Sequence, residues 1–137
     1  MSQAANNTFS VYKKDGIIYC VIPANSIVDT EAVKGAIEKR IAIAEGISHP
    51  ILIDARDVKY WTLESRKYSL SKEAHQCVKA YGILINSSIM RIIINWAIKI
   101  FPHSVPQKIF TSEEDAIRWL NQFKDRNERP SKPILVF

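Results

Sequence analysis

Ile51-Leu52-Ile53 is apolar at every position and stands between a helical pattern and an acidic turn. A strand with one wet face alternates apolar and polar residues. One that is apolar throughout must be covered on both faces, as parallel strands are. Gly82-Ile83-Leu84-Ile85 is a second short apolar run, closed by Asn86 and two serines. Two such runs joined by helical patterns point to a parallel sheet with helices packed on it.

The remaining elements assemble around these runs. Residues 8–12 and 17–22 read as strands joined through Lys13-Lys14-Asp15-Gly16, and Asp-Gly between strands signals a hairpin. Pro23 ends the second strand, and residues 25–28 connect onward. Asp29 or Thr30 caps a helix with Val33, Ile37, Ile41 and Ala44 at helical spacing, and Gly46 stops it. Residues 54–61 form a loop. Thr62 caps a second helix over 63–79, whose apolar positions are Leu63, Leu70, Ala74, Cys77, Val78 and Tyr81. Ser88 caps a third over 89–101, and Pro102 and Pro106 bracket the loop that follows. Residues 107–110 are the last strand. Thr111 and Glu114 make a capping box for a fourth helix with Ala116, Ile117, Leu120 and Phe123 on its apolar face. The expected fold is α/β, ordered β-β-α-β-α-β-α-β-α, with a mostly parallel central sheet, an N-terminal hairpin and helices packed on the sheet.

A chain of 137 residues needs one core. Residues 1–7 are expected to be disordered, 8–123 to form the domain, and 124–137 to be a charged linker and apolar tail. The tail ends Pro133-Ile134-Leu135-Val136-Phe137, suited to adding a strand to its own sheet edge or to a partner's. Apolar residues make up 47% and charged residues 24%, an ordinary globular balance. Net charge is +5, but the basic residues are spread along the chain, so nucleic-acid binding is not expected. Cys20 and Cys77 form no CxxC and read as reduced, buried thiols of a cytoplasmic protein. The polar start Met1-Ser2-Gln3-Ala4-Ala5-Asn6-Asn7 has no apolar signal-peptide segment. The most apolar stretch, 83–101, is interrupted by Asn86, Ser87, Ser88, Arg91, Asn95 and Lys99, so no membrane-spanning helix is expected.

Three stretches resemble the SpoIIAA-like family, related to STAS domains. They are Ile51-Leu52-Ile53-Asp54-Ala55-Arg56-Asp57, Val58-Lys59-Tyr60-Trp61-Thr62-Leu63-Glu64-Ser65-Arg66, and the ending from Lys108-Ile109-Phe110 through Trp119-Leu120. The resemblance spans about residues 8–123 and implies a regulatory or scaffolding binding module. In anti-sigma-factor antagonists of that family, a serine opening the helix after the third strand is phosphorylated. The family's Asp-Ser pair is absent here. Thr62 and Ser65 are the hydroxyls nearby, and so the phosphoacceptor candidates.

Asp54, Arg56 and Asp57 follow a strand's C-terminal end, the edge that ligands favour in α/β sheets. They form either an acid–base or cation site or a solvated turn with a local ion pair, and the ion pair is the preferred expectation. Thr62 and Ser65 sit at a helix N-terminus, where a phosphate would be stabilised; capping by Thr62 and a solvent-facing Ser65 is the simpler outcome. Arg66 and Lys67 in the first turn are placed against the helix dipole and either serve an anionic partner or ligand or are simply tolerated on the surface. Tyr60 and Trp61 are either an exposed binding pair or a plug for the core. His49, His75 and His103 form no ligand pattern, so no metal, cofactor or catalytic residue is expected.

On the third helix, Arg91, Asn95 and Lys99 make one polar stripe. Ile89, Ile92, Ile93, Trp96, Ala97 and Ile100 lie opposite, with Met90, Ile94, Ile98 and Phe101 beside them. The apolar arc is about 240° at about 100° per residue, where a surface helix needs a stripe of about 100°. One sheet cannot cover it. The Met90–Ile94–Ile98–Phe101 flank therefore needs a neighbouring helix, a second subunit or an apolar ligand. The expected function is a non-catalytic regulatory or scaffolding module with a protein partner, a homodimer through this helix. The alternative is a carrier of a small apolar or lipid-like ligand.

Overall fold

A computed structural model describes residues 9–69, 71–86, 91–92 and 105–124. Strands β1 (Ser10–Lys14) and β2 (Ile17–Val21) open the chain. They pair antiparallel across Asp15 and Gly16, with φ of 52° and 81°. Two consecutive positive φ values are what a twisted two-residue hairpin requires, which is why Asp-Gly stands there. A short β3 (Ile27–Val28) leads into α1 (Thr30–Ala44). The Asp29 carboxylate accepts from Ala32 N at 2.9 Å, so Asp29 rather than Thr30 is the cap. The left-handed residue ending α1 is Glu45, with Gly46 following at positive φ. Then come β4 (His49–Asp54), β5 (Tyr60–Trp61), α2 (Leu63–Tyr68) and a 3-10 turn (Glu73–His75). Last are β6 (Val78–Leu84), β7 (Gln107–Phe110) and α3 (Glu113–Asn121).

The main sheet has the order β1-β2-β4-β6-β7, parallel everywhere except at the hairpin. Its two faces account for the uniformly apolar runs. Ile18, Cys20, Ile51, Tyr81 and Ile83 enter one core with Val33, Ala36 and Ala44 of α1. Ile17, Tyr19, Leu52, Ala80 and Leu84 enter the other with Ala116 and Leu120 of α3. Alternate residues of one strand thus serve opposite layers. Gly82 sets the closeness of the second layer, since a β-carbon there would stand 3.1 Å from Leu120 Cδ1.

Three sequence expectations are corrected. The connector 25–28 contains β3, which pairs in parallel with β5 as a separate two-stranded sheet. The second helix stops at Tyr68, and residues 78–81 belong to β6. Serines turn the chain there: Ser69 Oγ donates to Ser65 O at 2.8 Å, and Ser71 Oγ accepts from Ala74 N at 3.3 Å. Cys77, at φ 61°, then reverses direction into the strand. On α3 the cap is Ser112, accepting from Asp115 N at 3.3 Å, not Thr111. Ser-x-x-Asp offers the same capping geometry one residue later.

Of the third expected helix, only Arg91 and Ile92 fall within the described residues. Both are helical and exposed. Ile92 is 68% exposed, although the periodicity assigns it to the covered side. Met90, Ile94, Ile98 and Phe101 lie outside the described residues, as do segments 1–8 and 125–137.

Candidate functional site

Parallel strands deliver their connecting loops to one sheet edge. Here loops 22–28 and 54–62 leave β2 and β4 side by side. Backbone bonds tie them together: Ile22 N to Asp54 O at 3.0 Å, Asn25 N to Asp57 O at 2.8 Å, and Thr62 N to Val28 O at 3.0 Å. The β3–β5 pairing sets Ile27 opposite Tyr60 and Val28 opposite Trp61. Paired residues share a face, so the ribbon has an inner and an outer side. Val28 and Trp61 are buried in the core. Ile27 and Tyr60 point outward, 41% and 54% exposed.

Helix α2 continues the outer surface. Leu63, expected on a core face, is 56% exposed. Lys67 lies one turn on, also exposed, and Arg66 flanks them half-buried. Lys59 is exposed just before Tyr60, and Glu64 is the acidic residue among them. Ile27 and Tyr60, opposite each other on the ribbon, and Leu63, three residues after Tyr60, are thus exposed apolar side chains, with Lys59, Arg66 and Lys67 close to them in the chain. Among the described residues, Trp61 Nε1 and Arg66 Nε are buried without a hydrogen-bond partner.

The two hydroxyls behave differently. Thr62 caps α2, its Oγ1 accepting from Ser65 N at 3.1 Å. Ser65, expected to face solvent, is fully buried. Its hydroxyl lies 3.0 Å from Val28 O and 2.8 Å from Thr62 O, fastening α2 to the ribbon.

The polar turn is internally satisfied. Asp54 receives Arg56 Nε at 3.0 Å and Nη2 at 2.7 Å in a two-pronged pair, and Nη2 also reaches Glu113 at 3.4 Å. The bond to Asp54 raises the Arg56 pKa, holding the guanidinium charged. Asp57 accepts from Asn86 Nδ2 at 3.4 Å. Among the described residues, no group of three or more His, Cys, Asp or Glu side chains is placed to hold a metal ion. No described helix is long and apolar enough to cross a membrane.

Two residues escape sequence reasoning, Ile27 in this region and Arg40 near the opposite edge of the sheet, where β6 begins. Ile27 was hidden in a connector; two β-branched residues before a helix cap were the available signal, but their partner strand lies 33 residues on in the pairing Ile27↔Tyr60. Nothing in the helical pattern of α1 singles out Arg40. It is fully buried, its Nη1 donating to Gln76 O at 2.6 Å and its Nη2 to Ala74 O at 3.0 Å. Nearby, Tyr81 Oη donates to the same Ala74 carbonyl.

A family model described as a domain of unknown function, DUF7793, matches residues 11–124. The chain belongs to the DUF7793 family. None of the curated proteins compared with this DUF7793 chain matches it. Among solved structures, it is similar to a DUF3478 protein with a SpoIIAA-like fold from Shewanella loihica PV-4. The two are 19% identical, with a TM-score of 0.57 over 82% of this chain and 92% of that one. It is also similar to an anti-sigma factor antagonist from Mycobacterium paratuberculosis. That pair is likewise 19% identical, with a TM-score of 0.55 over 83% and 93% of the two chains. The fold of this DUF7793 chain is SpoIIAA-like.

Proposed function

We propose that this protein is a non-catalytic regulatory module of the cytoplasm that docks a protein partner on the outer face of the β3–β5 ribbon. The observation that carries this is the outward pair Ile27 and Tyr60, continued by Leu63 and bordered by Lys59, Arg66 and Lys67. Exposed apolar centres with polar borders are what partner surfaces look like. The likeness to an anti-sigma factor antagonist supports a regulatory role. Asp54 and Asp57 are held by Arg56 and Asn86, which supports a structural rather than a catalytic use of the turn. Any hydroxyl switch at this junction falls to Thr62, because the Ser65 hydroxyl is enclosed.

Capture from a lysate of the host with wild-type protein and with Tyr60→Ala tests the surface. The same partner should be enriched by the wild type and lost from the variant. Equal capture by both contradicts the docking face. The proposal extends to a homodimer through residues 89–101. Light scattering should then give twice the chain mass of 15.6 kDa, and a single-chain mass removes the dimer from the account.

A further inference from the structure

Among the described residues, β1 is an outer strand, paired only with β2. One side of its backbone has no strand neighbour there, a condition that natural sheets cover or defend. Tyr12 stacks on Tyr19 with ring centroids 5.0 Å apart, yet is 44% exposed. On the opposite face, Val11 packs only partly against the α1 core. Among the described residues, each face of β1 thus carries one incompletely covered apolar side chain, Val11 or Tyr12, with no strand beyond it.

The route of the chain supplies one. Lys124, just past α3, lies over the hairpin turn: a β-carbon on Gly16 would meet its Cδ and Cε at 3.4 Å. The chain thus leaves the described domain beside the Lys14 end of β1. From 124 to 134 it can extend about 33–36 Å, whereas a five-residue strand is about 17 Å long. A segment that starts at the turn and follows β1 runs from Lys14 towards Ser10, antiparallel to it. Ile134-Leu135-Val136-Phe137 is uncharged and rich in strand-forming residues. Pro133 before it lacks an N–H, which an edge strand tolerates at its first position.

We infer that residues 134–137 complete the sheet of their own molecule as an antiparallel strand on the outer side of β1. One alternate pair of side chains covers Val11 beside α1; the other covers the open side of Tyr12.

Nuclear magnetic resonance on the full chain tests this directly. Cross-strand contacts should link residues 134–137 to Ser10–Lys14. A sample mixed from differently labelled chains should show those contacts within one molecule. No such contacts, or contacts only between copies, overturns the inference. A chain ended after Lys132 gives an independent readout. The outward β1 amides should exchange about tenfold faster than in the full chain, with β4 and β6 amides unchanged. Unchanged β1 exchange also overturns it.

Discussion

Thr62, the cap of α2, and Ser65, in its first turn, answer the same substitution in opposite ways. Asp is among the best helix caps, so Thr62→Asp keeps the bond to Ser65 N and should leave the melting temperature nearly unchanged. Ser65→Asp forces a carboxylate into an enclosed site facing two carbonyl oxygens. It should cost about 3 kcal/mol or more in urea unfolding. Equal stability of the two variants would contradict the burial of Ser65. Buried acids give a pH signature too. Burial pushes the Cys20 thiol from 9.0 to about 11, with Arg40 opposing. It pushes the Tyr81 hydroxyl from 10.0 to about 12, again against Arg40. The folded state holds these protons after the unfolded chain has released them. Stability from these groups is therefore full below about pH 9 and lost between about 9 and 12. Tyr81→Phe should flatten the loss above pH 10, and a slope identical to wild type would contradict the raised pKa. The sequence showed Thr62 as a cap because capping is local. It could not show the enclosure of Ser65, because Val28, which supplies one of the carbonyls, is 37 residues away.

Among the elements, the break between α2 and β6 marks the limit of periodicity. Val78 and Tyr81 fit helical spacing, yet both belong to a strand. What decides is tertiary: Arg40, on the facing side of α1, takes the carbonyls of Ala74 and Gln76. Hydrogen bonds to a buried charge are worth about 1.5–3 kcal/mol. Arg40→Met keeps most of the volume but leaves the Gln76 carbonyl without its donor. It should destabilise by about 2–3 kcal/mol. Hydrogen exchange should rise at Gln76 and Cys77 before it rises in β2 or β4. A uniform rise would show that Arg40 supports the core generally rather than this turn. By contrast, the hairpin, α1 and α3 were legible, since each is set by local signals: Asp-Gly, an Asp cap, and an apolar stripe after Ser112.

For the whole molecule, the layered sheet was readable from uniformly apolar runs, because a strand covered on both faces has no polar position to spare. The surface that carries the proposed function was only half readable. Tyr60 stood out as an aromatic in a loop, but Ile27 and Leu63 became surface only when β3 met β5 and α2 turned outward. Docking at this face is the claim on which the functional account rests. Calorimetric titration of the purified captured partner against wild type, Tyr60→Ala and Ile27→Asp tests it most directly, with melting temperatures measured alongside. The account predicts at least about tenfold weaker binding for each variant, roughly 1.4 kcal/mol, with folding intact. Equal affinities in equally stable proteins would contradict it.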